Sequence, residues 1–305
     1  MIRPKALKKG DKIALIGTSS PVAEERIKPA IEAMEDLGLE VVLCDSAISK
    51  HGYLSGKDEI RAKDINNMFK DDSINGIFVI RGGYGSARLL DMLDYKMIKK
   101  NPKIFVGYSD VTALHNVLNN KCNLITFHGP MPSTEFYKGV DSYTMDCFKK
   151  NVFECDSSRV LINPSDQEMK TLFEGKAEGR LVGGNLTLVC SSMGTPYEID
   201  TKGKILFLED IDEYPFRIDR MLVQLKQCGK FKDANGIILG AWTDCTAPDP
   251  DKSLSLLEVF EELIVPEKKP TIYNIACGHC LPTMTLPLGA KIEMNTKKNE
   301  IKVLD

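Results

Sequence analysis

The sequence predicts an α/β protein of two domains, and three observations support this fold class. Short apolar runs alternate with helix-like segments through the first half of the chain. After about residue 170 the pattern changes to short β-like runs broken by glycines. A chain of 305 residues is also longer than one hydrophobic core usually supports. We therefore expect one domain at 1–140, a linker at 141–170 and a second domain at 171–305.

The first half is typical of a parallel sheet covered by helices. Strands are predicted at 12–17, 41–43, 74–80 and 103–107, and helices at 24–37, 57–69 and 86–93. Within 24–37, Ile27, Ile31 and Met34 recur at three- and four-residue spacing, which is the helical period. Because the strands are apolar almost throughout, we expect both faces of this sheet to be covered.

The second half predicts a sheet of mixed strand direction. One helix is predicted in the linker, at 142–153, before a polar stretch at 163–166. Strands are predicted at 177–182, 204–208, 236–240, 271–275 and 291–294, with an edge strand at 300–304. Helices are predicted at 218–228 and 255–264.

Composition and charge exclude several classes of function. The net charge is −3 and no cluster of Lys and Arg is present, so we expect no nucleic-acid partner. No apolar run approaches the roughly 20 residues that span a bilayer, and the first ten residues lack the apolar core of a signal peptide. We therefore expect no membrane partner and a cytoplasmic location.

Nine cysteines without framework spacing predict reduced thiols. Cys277 and Cys280 form a C-x-x-C pair, but a zinc site needs a second pair of ligands, and the sequence offers none at suitable spacing. We expect no metal at this pair.

The segment that most strongly suggests chemistry surrounds Ser109. An apolar run ends at Gly107, one residue precedes Ser109, and a helix-like pattern follows. This order predicts a sharp strand-to-helix turn that presents a serine hydroxyl near a helix N-terminus. Position 111 is Val where the usual G-x-S-x-G elbow has glycine. From these residues alone, Ser109 is either a nucleophile or a helix N-cap.

Two more segments reach the same edge of the predicted sheet, where open parallel sheets bind ligands. They are 17–20 and the glycine-rich turn 81–85. The turn lacks the phosphate-loop pattern, so we expect no nucleotide there. Its backbone N–H groups are candidates for holding an oxyanion, and the alternative is a turn that only reverses the chain.

A serine nucleophile needs a base, and the base usually needs an orienting carboxylate. His279 follows an apolar run and sits among small residues, while His128 ends a strand-like segment and His115 is expected to pack on its helix. Acids at 209–213 end another apolar run. A carboxylate at the end of a buried strand is costly without a partner, which makes this run a candidate.

Together these segments resemble the LD-carboxypeptidase family of serine peptidases, which act on muropeptides. The resemblance is carried by 81–85, 106–112, 183–186, 206–222 and 278–279, in the order of the family and across nearly the whole chain. It implies an N-terminal three-layer domain similar to flavodoxin and to glutamine amidotransferases. The C-terminal domain it implies is sheet-rich α/β, of the swivelling β/β/α type.

The resemblance also implies a Ser-His-Glu triad divided between the two domains. On this sequence the nucleophile is Ser109, the base His279 and the orienting carboxylate Glu209. Glu213 is kept as a second candidate for the acid, because one sequence does not decide which acid of the run faces the histidine.

Further roles follow from the same resemblance. The oxyanion donors are the backbone N–H of Asp110 and that of Gly83 or Tyr84, and Asn185 and Arg217 are weaker candidates for substrate contacts. The implied reaction releases D-alanine from the tetrapeptide of a muropeptide during cell-wall recycling. It requires no metal or organic cofactor, and the family implies a homodimer.

Two alternatives stay open. A sister branch of the family, the microcin C7 self-immunity hydrolases, cleaves peptide–nucleotide conjugates and tends to read L-F-x-E-T-S-E where this chain has acids at 209–213. The acidic run is therefore closer to the carboxypeptidase branch. The other alternative is a two-domain binding protein that uses the same residues without turnover.

Overall fold

The elements alternate along the first half of the chain as the apolar pattern predicts, in a computed structural model that describes residues 1–154 and 158–304. The strands are β1 (Lys12–Ile16), β2 (Glu40–Leu43), β3 (Gly76–Val79), β4 (Ile104–Gly107), β5 (Thr126–His128), β6 (Arg159–Leu161), β7 (Lys170–Phe173), β8 (Lys176–Asn185), β9 (Ile205–Ile211), β10 (Gly236–Thr243), β11 (Thr271–Tyr273), β12 (Leu286–Leu288), β13 (Lys291–Asn295) and β14 (Glu300–Val303). The α-helices are α1 (Glu24–Glu35), α2 (Asp45–Ile48), α3 (Asp58–Lys70), α4 (Tyr95–Lys100), α5 (Thr112–Cys122), α6 (Ser142–Val152), α7 (Leu186–Ser191), α8 (Pro215–Gln227), α9 (Lys230–Asp233) and α10 (Leu256–Leu263).

The chain divides into two compact units. One is Met1–Asp156 with Thr285–Gly289, and the other is Ser157–Met284 with Ala290–Asp305. Of the segment predicted as a linker, α6 lies in the first unit and β6 in the second.

The sheet of the first unit has the order β12-β5-β4-β3-β1-β2. From β5 to β2 the neighbouring strands are parallel, and every residue of β3 and β4 is buried. This is the burial expected of parallel strands whose two faces are both covered. Because the strands run the same way, β1, β3 and β4 bring their carboxyl ends, and the loops that follow them, to one edge.

The sheet of the second unit has the order β6-β14-β13-β8-β9-β10-β11-β7. Strands β8 to β11 are parallel, whereas the pairs at both ends of the sheet are antiparallel. The mixed direction predicted for this half is confirmed, and so is the α/β fold of two domains. Apolar side chains of α8, including Ile218, Leu222 and Leu225, pack with Leu206 and Leu208 of β9 in the core of this unit.

Local sequence explains where several helices begin. In α10, Ser255 accepts a hydrogen bond from the Glu258 N–H and the Glu258 carboxylate reaches back, which is a capping box. At α6, Asp141 accepts from the Thr144 N–H, and α8 begins at Pro215, whose fixed φ suits a first helical turn.

Two features of the sheets differ from the sequence-based expectation. The prediction of 300–304 as an edge strand is wrong, because β6 pairs with β14 and takes the edge. In the first unit, β12 adds an antiparallel strand at the end of the parallel sheet. Both added strands are three residues long, which is too short for a periodic pattern to reveal.

No helix within 1–154 and 158–304 is both long enough and apolar enough to cross a membrane.

Candidate active site

Ser109 occupies an unusual backbone conformation at the end of β4. Its φ is 64°, in the left-handed region that an L-residue other than Asn or Asp rarely enters. A single 3₁₀ turn, Ser109–Val111, leads into α5. Val111 is the N-cap residue of α5 and makes no side-chain cap, so Ser109 does not serve as the helix cap. A strained serine between a strand and a helix is the geometry of a nucleophile elbow.

The glycine-rich turn lies against this serine. A Cβ atom at Gly82 would stand 3.1 Å from Ser109 Cβ and 3.3 Å from its Oγ, so only glycine leaves the hydroxyl uncrowded. Among the predicted oxyanion donors, the Tyr84 N–H donates to Ser20 Oγ at 3.3 Å. The Gly83 N–H makes no hydrogen bond within the described parts of the chain. Gly83 is thus the better placed of the two to donate to a ligand.

The Asp110 carboxylate joins three loops beneath the serine. It accepts a hydrogen bond from Ser19 Oγ at 2.6 Å and another from the Ser86 N–H at 2.8 Å, while Ser86 Oγ donates to Thr18 Oγ1. Asp110 is 1% exposed. Burial raises the pKa of its carboxyl, against the opposing effect of these hydrogen bonds. The residue predicted as a backbone donor therefore also has a side chain that anchors the turn.

A buried guanidinium supports the same loops from below. Arg61 of α3 is fully buried and donates through Nη1 to the carbonyl oxygens of Thr18 and Gly85, and through Nη2 to Asp58 Oδ1 at 2.5 Å. Arg61 is not among the residues predicted from the sequence. The available signal was its place on the apolar face of α3, one helical turn before Ile65, where an arginine needs polar partners.

His115 is a structural residue. Its Nε2 lies 2.8 Å from the Gly107 carbonyl oxygen, and its Nδ1 lies 2.8 Å from Thr126 Oγ1. Because a carbonyl oxygen only accepts, Nε2 carries the proton and Nδ1 accepts from the threonine. Burial lowers the pKa of His115 to about 4, so the ring is neutral near pH 7. The expectation that His115 packs on its helix is confirmed.

In the second unit, the carboxylate of Glu209 and the ring of His279 are hydrogen bonded. Glu209 lies on β9 with a fully buried side chain, and its Oε2 is 2.7 Å from His279 Nδ1. The same oxygen accepts the backbone N–H of His279 at 3.3 Å. A carboxylate acceptor places the ring proton on Nδ1 and leaves Nε2 with a lone pair. The His279 side chain is 13% exposed, so this orientation suits a general base.

The approach of the histidine loop to Glu209 depends on a glycine. Gly278 has a φ of 119°, and a Cβ atom there would lie 2.5 Å from Glu209 Oε2. Any side chain at this position would displace the carboxylate or the loop.

The neighbouring acids of the run have other partners. Asp210 accepts from Asn185 Nδ2 at 2.8 Å and from both the N–H and the hydroxyl of Thr187 at 2.9 Å. Glu213 pairs with Arg217 at 3.6 Å. The acid that contacts His279 is therefore Glu209, and Glu213, the second candidate, lies in an ion pair.

The two residues predicted as weaker substrate contacts have different surroundings. Asn185 is buried, and its Oδ1 accepts the Leu188 N–H, which makes it the N-cap of α7. The Arg217 guanidinium lies over the rings of Tyr214 and Phe216, and about half of its side chain is exposed. Arg217 is thus the one of the pair that a ligand could reach.

No three His, Cys, Asp or Glu side chains of 1–154 and 158–304 are grouped as a metal site would require. Cys277 is buried and Cys280 half-buried, and both are thiols.

Comparisons with known proteins identify the family of both domains. Residues 13–129 match the LD-carboxypeptidase N-terminal domain, and residues 178–294 match the LD-carboxypeptidase C-terminal domain. A probable murein peptide carboxypeptidase of Bacillus subtilis (strain 168) is 43% identical over 298 residues, which is 96% of this chain and 92% of that protein.

Solved structures extend the comparison to the fold. The wild-type microcin C7 self-immunity protein MccF is 27% identical with a TM-score of 0.92, over 100% of this chain and 99% of its own. A muramoyltetrapeptide carboxypeptidase from Oxalobacter formigenes is 29% identical with a TM-score of 0.85, over 95% and 97%. With both domain models matched in order and a relative at 43% identity, this chain belongs to the LD-carboxypeptidase family of peptidase S66.

Proposed function

We propose that this protein is a serine LD-carboxypeptidase that releases the terminal D-alanine from muropeptide tetrapeptides in cell-wall recycling. The observation that carries the proposal is the 2.7 Å hydrogen bond from His279 Nδ1 to the buried Glu209 carboxylate, in a chain whose Ser109 has the backbone of a nucleophile elbow. Burying the Glu209 carboxyl group and straining the backbone at Ser109 both destabilise the fold. Such features are found at catalytic sites more often than elsewhere.

In the proposed reaction, Ser109 Oγ attacks the carbonyl carbon of the L-residue that precedes the D-alanine. His279 Nε2 takes the hydroxyl proton, and Glu209 holds the imidazolium that forms. The N–H groups of Gly83 and Asp110 donate to the oxyanion. The C–N bond then breaks as His279 returns the proton to the leaving amine, which gives D-alanine and an acyl-serine. Water, deprotonated by the same histidine, releases the shortened peptide.

The substrate class is supported by the relatives. One is a probable murein peptide carboxypeptidase and another a muramoyltetrapeptide carboxypeptidase, and this chain covers more than nine-tenths of each. A second candidate is hydrolysis of an aminoacyl–nucleotide conjugate. It is favoured by the likeness to MccF, which has been solved with glutamyl sulfamoyl guanosine, at a TM-score of 0.91 and 27% identity.

The test is incubation with muramoyl tetrapeptides carrying L-lysine or meso-diaminopimelate at the third position, and with an aminoacyl sulfamoyl nucleoside, followed by mass analysis. We expect release of D-alanine from at least one tetrapeptide and its loss in Ser109→Ala. Cleavage of the nucleoside conjugate alone would favour the second candidate. If the folded protein binds a tetrapeptide but cleaves none of these compounds, it is a binding protein.

Two further parts of the proposal are a cytoplasmic location and a homodimer, both implied by the family. Cell fractionation tests the location. Light scattering on the purified protein tests the dimer, and a mass near 34 kDa at all concentrations would contradict it.

A further inference from the structure

Two exposed tyrosines form a pair on the surface of the first unit. The rings of Tyr53 and Tyr84 have centroids 5.8 Å apart and are tilted by 55°. Tyr53 is 65% exposed and Tyr84 is 53% exposed. A single exposed aromatic ring needs no explanation, but adjacent exposed rings are apolar surface that commonly marks a binding site.

The loop of Tyr84 packs beside the candidate nucleophile, and the loop of Tyr53 packs on the loop of Tyr84. Tyr84 is two residues after Gly82, whose backbone lies against Ser109. The loop of Tyr53 is closed by reciprocal backbone hydrogen bonds between His51 and Leu54. Leu54 in turn packs so tightly on Gly85 that a Cβ there would be 2.6 Å from Leu54 Cδ2. The pair is therefore held in place without a ligand, as binding surfaces usually are.

Arg88 lies in the helical turn that follows Tyr84, and its backbone N–H donates to the Gly85 carbonyl oxygen at 3.3 Å. Arg88 donates from Nε and Nη2 to Asp58, with distances of 2.8 to 3.1 Å, and 43% of its side chain is exposed. Its Nη1 makes no hydrogen bond with any described residue, so two N–H donors are left for a ligand. The pKa of Arg88 is raised, chiefly by its hydrogen bond to Asp58 and to a smaller extent by Tyr53 and Tyr84.

Asp58 neutralises the charge of Arg88 only in part. The same carboxylate also pairs with the buried Arg61, so two guanidinium groups share one acid. The exposed member of this group keeps an excess of positive charge, and a guanidinium with two unused N–H donors is suited to bind a carboxylate.

We infer that Tyr53, Tyr84 and Arg88 form a substrate-binding rim, which takes a carboxylate of the peptide on Arg88 and the apolar part of the adjoining residue on the two rings. This inference rests on the proposed function, since it assigns the specificity of the same site. The carboxylate is either the C-terminal one of the D-residue or an internal one on the acyl side of the scissile bond.

The experiment uses three tetrapeptides that differ only in their carboxylates: the unmodified peptide, its C-terminal amide, and the peptide with its internal carboxylate converted to an amide. We expect Arg88→Gln to lower kcat/KM on the unmodified peptide about tenfold, mainly through KM, because a charge-assisted hydrogen bond is lost. On the peptide that lacks the recognised carboxylate, Arg88→Gln and the wild type should have the same kcat/KM. The amide that removes the difference identifies which carboxylate is bound.

Matched controls come from another pair in the same unit. Arg26 lies over the ring of Tyr137, with 4.8 Å from the guanidinium carbon to the ring centroid. Tyr84→Ala should raise KM on the unmodified peptide, whereas Tyr137→Ala and Arg26→Gln should not. Thermal unfolding of each variant checks that it is folded.

Equal losses by Arg88→Gln on all three peptides, or no loss on any, would overturn the inference while leaving the proposed function intact. If the wild type cleaves no tetrapeptide, the proposed function fails. The rim can then be tested by measuring peptide affinity with calorimetry. In that case Ser109→Ala should bind the unmodified peptide about tenfold more tightly than Ser109→Ala with Arg88→Gln. Equal affinities, or no binding by either, would refute the rim.

Discussion

The nucleophile of the first unit and the acid–base pair of the second are held in place by different means. Ser109 sits on a strained backbone, and the surrounding loops are tied together by buried polar groups, chiefly Asp110 and Arg61. His279 is hydrogen bonded to the Glu209 carboxylate through both its ring and its backbone N–H. The support of Ser109 is thus spread over several loops, whereas one carboxylate accepts both of these hydrogen bonds from His279. Substitutions in the first unit should accordingly remove or displace the nucleophile, and those in the second should remove the support of the histidine.

The largest effect is expected at Ser109. Ser109→Ala removes the attacking oxygen, and kcat should fall by roughly 10⁴-fold or more with the fold intact. Because φ is 64° there, Ser109→Gly should be equally inactive but more stable to urea than Ser109→Ala, by about 1 kcal/mol. Turnover and urea unfolding measure the two effects. Equal stability of Ala and Gly at this position would mean that the elbow is not strained.

The elbow was accessible to sequence reasoning because it is local. A strand that ends at Gly107, followed by Ser109 and a helical pattern, lies within ten residues and predicts its own turn. The acid run was located in the same way, at the end of an apolar strand. The sequence does not decide between Glu209 and Glu213, because the choice depends on which acid, on β9 or just after it, faces a loop about 70 residues later.

The supports beneath the elbow could not be predicted from sequence. Asp110 bonds to Ser19, which is 91 residues away, and the bond exists only because β1 and β4 lie two strands apart in the same sheet. The order of strands in a sheet is set by packing over the whole unit, and no short pattern encodes it. The role of Arg61 could not be predicted for the same reason, since the carbonyl oxygens that it bonds lie on two loops, one after β1 and one after β3.

A slightly smaller effect is expected at Glu209. Glu209→Gln keeps the size of the side chain but no longer stabilises an imidazolium, so kcat should fall by about 10⁴-fold. Glu213→Gln is the matched control, because this acid lies four residues later and pairs with Arg217 rather than with the histidine. Its activity should stay within about threefold of the wild type, since a part-exposed ion pair contributes little. Steady-state kinetics on a tetrapeptide decides, and the reverse ranking would reassign the acid to Glu213.

A moderate effect is expected at Asp110, where the many-bond support of Ser109 can be tested. In Asp110→Asn one amide oxygen can still accept from both the Ser19 hydroxyl and the Ser86 N–H, as Oδ2 does, but it is a weaker acceptor than a carboxylate and holds the turn less firmly. We expect kcat to fall by about tenfold with little change in KM, because a displaced oxyanion donor acts on the transition state. Asp141→Asn is the control, since Asp141 also accepts one N–H and one hydroxyl, both from Thr144. A similar fall in kcat for both variants would indicate general destabilisation rather than positioning.

The smallest effect on activity, and a clear one on stability, is expected at His115. The folded pKa of about 4 lies below the ordinary value of 6.5, so the unfolded chain binds more protons between these pH values. Stability from the neutral ring is therefore present above pH 6.5 and is lost as the pH falls toward 4. At 1.36 kcal/mol for each pKa unit, the full loss is about 3 kcal/mol.

His115→Gln has no such titration, and its free energy of unfolding should fall less than that of the wild type between pH 7 and pH 4.5. Urea unfolding at both pH values gives the difference, in which the carboxylates common to both proteins cancel. At pH 7 the variant should keep most of its kcat, because the ring supports the Gly107 carbonyl and not the reacting atoms. A parallel pH dependence of the two proteins would show that His115 titrates normally. The strand end before Ser109 would then be held by a ring that can become charged, and not by a neutral one.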